Sequence, residues 1–162
     1  MFKKILWVIA GLFLLAQFVR PNQKNPPVAS ADDFQNVVNP PAEVLTILKN
    51  SCYDCHSFET KYPWYSQVAP VSWWLADHIG EGREHLNFSI FGQLAPGDRA
   101  EALGEAAEAV QEGEMPLSSY TWFGLHPEAD LSAAQLNTLV QWLNANSGEG
   151  NEAGSREKDD ND

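Results

Sequence analysis

The stretch Ala42-Glu43-Val44-Leu45-Thr46-Ile47-Leu48-Lys49-Asn50-Ser51, followed at once by Cys52-Tyr53-Asp54-Cys55-His56, decides how this chain is read. After Pro40-Pro41, Val44, Leu45 and Leu48 recur at helical spacing, which predicts a short amphipathic helix over residues 42–51. Its last turn presents two cysteines three apart, with a histidine directly after the second. That is the pattern for covalent attachment of a c-type haem. One helical turn sets both sulfurs along one porphyrin edge, where each thiol adds to a vinyl group, and puts the His56 imidazole on the proximal side of the iron. The chain has only these two cysteines, so attachment leaves no free thiol and no disulfide.

Upstream, fifteen uncharged residues, Ile5 to Val19, lie between Lys4 and Arg20. Two lysines ahead of an apolar run open both signal peptides and membrane anchors. The run is short for a span of ~17–25 residues, although Phe2 and the snorkelling stems of Lys4 and Arg20 extend it. It ends in bulky Gln17-Phe18-Val19-Arg20, and the A-x-A match, Ala29-Ser30-Ala31, falls beyond Pro26-Pro27. The expectation is therefore an uncleaved, single-pass membrane helix within residues 1–20, with Lys3 and Lys4 cytoplasmic. The haem domain would then face the periplasmic side of a bacterial inner membrane, where the c-type linkage is made. Cleavage after Ala31, releasing a soluble exported domain, is the alternative. Residues 21–41, rich in Pro, Asn and Gln, read as an extended linker.

The formal net charge of −12 over 162 residues is unevenly spread. Residues 1–31 carry +4, residues 32–146 carry −12 and residues 147–162 carry −4. A domain this acidic is repelled by phosphate backbones, which argues against nucleic acid as a partner. Its charge suits a redox partner protein with a basic surface, and it equally suits plain solubility.

Along the domain, residues 57–74 are dense in aromatics: Phe58, Tyr62, Trp64, Tyr65, Trp73 and Trp74. Pro63 and Pro70 predict a loop first and then a helix from about Val71 to Glu84. A carbonyl in a turn after His56, near Pro63 or Pro70, is expected to take the Nδ1 proton and fix the ring. Asp98 and Glu101 look like a cap and an acidic third residue for a helix running to about Glu112, stopped by Gly113. Ser132 and Gln135 form a capping-box pattern for a last helix with Leu139, Trp142 and Leu143 facing the core. Residues 147–162 lack aliphatic side chains larger than alanine and read as a disordered acidic tail.

A helix ending in C-x-x-C-H, a capped last helix with Trp and Leu on one face, and Gly113-Glu114-Met115-Pro116 between them resemble the class I cytochromes c. The resemblance covers roughly residues 42–146. It implies a small all-α domain of about four helices around one covalent haem c, with the first and last helices crossing and a Met-Pro loop supplying the sixth ligand. The middle differs from small cytochromes c. Tyr62-Pro63-Trp64-Tyr65-Ser66, Ala69 through His78, Glu81 through Ser89, and Met115 through Tyr120 look like the small bacterial haem-binding-domain family of short anchored or exported proteins. That resemblance implies c-type haem binding and leaves the physiological role open.

For the sixth ligand, Met115 lies 59 residues beyond His56, follows a helix-ending glycine and precedes a proline. A thioether there stabilises ferrous iron and raises the potential, which suits electron transfer; the plain alternative is a core methionine filling a gap. His78 is the alternative ligand, and His85, seven residues on, shares its face if the helix runs through Gly80 and Gly82. His126, beside Pro127, is weaker. Arg83 is one of four basic residues in residues 32–146 and could meet a haem propionate, Glu84 or Asp77.

Three function classes follow. A single-haem electron carrier needs no acid–base residues, and no catalytic constellation is visible, so an enzyme is not expected. A haem sensor or peroxidase-like enzyme needs a displaceable sixth ligand and a distal acid–base group such as His78, His85 or Arg83. A thiol oxidoreductase or zinc site needs a strand context or a second ligand pair, and neither is present.

Overall fold

The computed structural model describes residues 1–148. Among them the architecture is all-α, with eight α-helices and no strand. The helices are α1 (Phe2–Ala16), α2 (Phe34–Val37), α3 (Ala42–Ser51), α4 (Tyr53–His56), α5 (Val71–His85), α6 (Pro96–Gln111), α7 (Ser118–Thr121) and α8 (Ala133–Asn146). Short 3-10 turns at Trp64–Gln67, Phe88–Gln93, Trp122–Gly124 and Pro127–Ala129 fill the connections.

The core is built by α3, α6 and α8. Val44, Ile47 and Leu48 of α3, Leu103, Ala107 and Val110 of α6, and Leu139 and Leu143 of α8 are all buried in one cluster. Helix α8 packs most extensively on α6 and also meets α3. It begins with the predicted reciprocal cap, in which the Ser132 side chain accepts from Gln135 N and the Gln135 side chain accepts from Ser132 N. Helix α6 starts differently from expectation. Pro96 opens it after Ala95, with no side-chain cap, and Asp98 sits inside the first turn. Proline's fixed φ suits a first helical position and its missing N–H would have no partner there, so no cap residue is needed. Gly113, at φ +75°, ends the segment as predicted.

The N-terminal expectation needs correction. Helix α1 has 15 residues, and at 1.5 Å per residue it is ~22 Å long, against a hydrocarbon layer of ~30 Å. Among the described residues no helix is long and apolar enough to cross a membrane. The physical reason lies at Gln17, where the chain leaves the helix and turns onto the domain. Gln17 Nε2 donates to Ala69 O at 3.2 Å and Gln17 Oε1 accepts from Ala69 N at 3.0 Å, while Trp73 Nε1 donates to Val19 O at 2.7 Å.

The stretch read as an extended linker, 21–41, is also tied down. Gln23 donates to Ser66 O at 2.5 Å and Asn25 Nδ2 to Thr60 O at 2.9 Å. Further on, Asp33 caps α2 through Gln35 N, and Phe34 is wholly buried. Its ring meets Phe88 and Phe91 edge-on at 5.0 Å each and Trp142 at 6.1 Å. Gly92 permits this approach, since a Cβ there would lie 2.7 Å from Asp32 Cα. Phe34→Ala should therefore cost about 3–5 kcal/mol in chemical denaturation; a loss under about 1 kcal/mol, the cost of an exposed-site change, would mean that Phe34 is not a core residue. Of the acidic tail, Ser147 and Gly148 close α8, and residues 149–162 lie outside the described residues.

Candidate haem site

Helix α3 ends at Ser51, and Cys52 joins it to the short helix α4 that carries the rest of the attachment motif. Cys52 N donates to Leu48 O at 2.8 Å, and the next turn closes by Cys55 N and His56 N onto Cys52 O at 3.2 and 2.9 Å. Both cysteines are unpaired thiols, and this single turn holds Cys52, Cys55 and His56 together. Burial is the first cause that pushes the thiols up, Cys52 to about 12 and Cys55 to about 11, with the neighbouring Cys55 and Asp54 charges adding to it. Arg83 acts against the rise at Cys55. Thiols this protonated are poor nucleophiles, which argues against redox exchange chemistry. In haem-free folded protein, alkylation at pH 8 should run roughly a hundredfold or more below a free thiol and accelerate only as pH approaches 11. A rate like that of a free thiol at pH 8 would contradict this burial.

The His56 ring is oriented by the chain thirty residues later. Its Nδ1 lies 3.1 Å from Leu86 O. A carbonyl only accepts, so Nδ1 carries the proton and Nε2 keeps its lone pair, the arrangement of a metal-ligating histidine. Leu86 replaces the expected carbonyl near Pro63 or Pro70. Burial holds the His56 pKa below the ordinary imidazole value, against the opposing hydrogen bonds to the backbone of Leu86 and Gly82. The ring therefore stays neutral, as a ligand must.

Helix α5 seats this arrangement. It runs unbroken through Gly80 and Gly82, and Gly82 lets it lie against α4. A Cβ at Gly82 would stand 3.2 Å from Cys55 O and 3.4 Å from His56 Cε1. Arg83 then fixes the turn after the motif. Its Nε donates to Ser57 O at 2.8 Å, its Nη2 reaches Thr60 Oγ1 at 3.0 Å and Asn25 Oδ1 at 3.2 Å, and its guanidinium lies 5.2 Å above the Phe58 ring. It is thus spent on backbone and polar partners, and pairs with neither Glu84 nor Asp77. Behind the motif, Tyr53 stacks on Phe88 at 4.8 Å, and Phe58 N donates to Ser89 Oγ at 2.8 Å.

The other ligand candidates are placed as follows. Met115 is half-buried against the same apolar cluster that Cys52 and Leu86 border. His78 is half-buried on α5, its Nδ1 donating to Trp74 O at 2.9 Å and its ring 4.2 Å from that indole. Asp77 and Glu81 each offer a ligand atom within 4.8 Å of a His78 ring nitrogen. His85 is exposed at the end of α5. His126 is engaged, with Nε2 2.7 Å from the Tyr65 hydroxyl and Nδ1 3.5 Å from Glu128.

Sequence reasoning missed Leu86, Gly82 and the bracing role of Arg83. A backbone carbonyl leaves no side-chain signal, and the glycine could only be read as a helix weakness. The residues present fit a c-type haem: two adjacent unpaired thiols and one imidazole with a free Nε2. No curated protein and no solved structure matches the chain. A family model described as haem-binding domain matches residues 11–145, which takes in the attachment turn, α5, Met115 and α8. The chain belongs to that haem-binding domain family.

Proposed function

We propose that this protein is a single-haem c-type electron carrier whose haem domain works on the outer side of the cytoplasmic membrane. The observation that carries the reading is the His56 Nδ1 contact with Leu86 O, which leaves Nε2 free for the iron beside two thiols. Cys52 and Cys55 would hold the cofactor by thioethers, and His56 Nε2 and the Met115 sulfur would bind its iron. When bound, haem supplies a one-electron iron couple. The protein's part is to keep that site rigid. Leu86, Gly82 and Arg83, all at the C-terminal end of α5, hold the His56 turn against that helix.

Lys3 and Lys4 ahead of an apolar helix support export. The hydrogen bonds from Gln17, Gln23 and Asn25 to the domain support retention of that segment in the working protein. The net negative charge of residues 32–146 supports a redox partner with a basic face. A reversible one-electron couple in voltammetry, with electron transfer to a basic acceptor that slows steeply with salt, is the expected result. A protein that instead turns over peroxide, or binds CO tightly in its untreated reduced form, belongs to the enzyme or sensor class.

A further inference from the structure

We propose that Tyr120 is a positioning residue for the sixth ligand: its hydrogen bond to Asp54 holds the loop that carries Met115 closed against the attachment turn. This rests on the reading of Met115 as that ligand.

The loop is tied at both ends. On the Met115 side, Glu114 N and Met115 N both donate to Ala109 O, at 2.9 and 3.1 Å, which fastens the loop to the end of α6. Five residues later Tyr120 Oη donates to Asp54 Oδ2 at 2.7 Å. Asp54 stands between the two cysteines of the motif and cannot swing. Its Oδ1 accepts from Lys61 N at 2.8 Å, and its carbonyl accepts from Thr60 Oγ1 at 2.6 Å.

The phenol is buttressed from the other side. Its ring lies parallel to the His126 imidazole, 3.9 Å between centroids and 7° between planes. His126, whose side chain is only 11% exposed, is itself fixed by the Tyr65 hydroxyl at 2.7 Å. Burial first, and the Asp54 carboxylate next, raise the Tyr120 pKa, so the hydroxyl stays a donor across any working pH.

A thioether is a neutral, soft ligand on a flexible side chain. Its bond to iron therefore depends on where the backbone holds the sulfur. Between the ties at Ala109 and Asp54 the chain from Met115 to Tyr120 has little freedom. Releasing the Tyr120 end lets Met115 move away and opens the sixth position to added ligands.

The test compares the full-length, haem-loaded wild type with Tyr120→Phe, which keeps the ring stack and removes one hydrogen bond. Hydrogen bonds to a charged acceptor are strong enough for a roughly tenfold or larger shift. The weak sulfur-to-iron absorption band should fade and CO affinity should rise by that factor, with haem still attached. Asp54→Asn, which keeps an acceptor oxygen, should show a smaller change, and Tyr65→Phe the least. A band and CO affinity unchanged in Tyr120→Phe, even with a lowered Tm, would overturn the positioning role and leave Met115 ligation standing. Absence of the band in the wild type would overturn Met115 ligation, and the positioning role with it. Should Tyr120→Phe fail to load haem, an unchanged band in Asp54→Ala, which removes the acceptor, would still overturn the proposal.

Discussion

Protein carrying Cys52→Ala together with Cys55→Ala should emerge from a haem-attaching host with no covalent haem at all. The two thiols share one helical turn, closed by Cys55 N and His56 N on Cys52 O, and no other cysteine exists to substitute for them. Each single variant keeps one thioether and should retain a weaker, spectrally shifted haem. The double variant keeps His56 with its Nε2 lone pair, so it can bind free haem reversibly and lose it on denaturation. Haem staining after denaturing electrophoresis distinguishes these cases. A covalently stained double variant would mean that the attachment chemistry lies elsewhere in the chain.

The next largest effect is expected at Met115. Met115→Ala should remove the weak sulfur-to-iron absorption band, lower the reduction potential and open the reduced iron to CO. The fold should survive, because Met115 is only half-buried at the edge of the apolar cluster rather than inside it. His78→Ala should leave the band in place. Its imidazole is turned to its own helix, with Nδ1 on Trp74 O and the ring against that indole. Loss of the band in His78→Ala with retention in Met115→Ala would reverse the two assignments.

Much of the helical frame was legible because periodicity and caps agree. The 42–51 helix, the aromatic helix from Val71, the Gly113 stop and the Ser132–Gln135 box all announce themselves in local sequence. What escaped depends on contacts distant in sequence. Phe34 is one aromatic in a Pro-, Asn- and Gln-rich stretch and carries no period, yet it centres three aromatic rings. The apolar run after Lys4 suggests a spanning helix, but the helix ends at Ala16 and Gln17 pairs with Ala69, so the run continues past the end of the helix. Arg83 looked like a charge awaiting a counter-charge, whereas its work is to brace the Ser57 and Thr60 turn. At the site, the Cys52–His56 motif is readable as residue types at fixed spacing, and Met115 as a candidate ligand beside His78. The Leu86 carbonyl and the Tyr120–Asp54 bond were not, since neither a main-chain acceptor nor a surface-like tyrosine signals its partner.

Covalent haem at the attachment turn is the claim on which the proposed function rests. Intact mass of the wild type, expressed with haem-attachment machinery and measured under denaturing conditions, tests this most directly. The predicted mass is that of the polypeptide, less any cleaved leader, plus one haem. The bare polypeptide mass from such a host would contradict it.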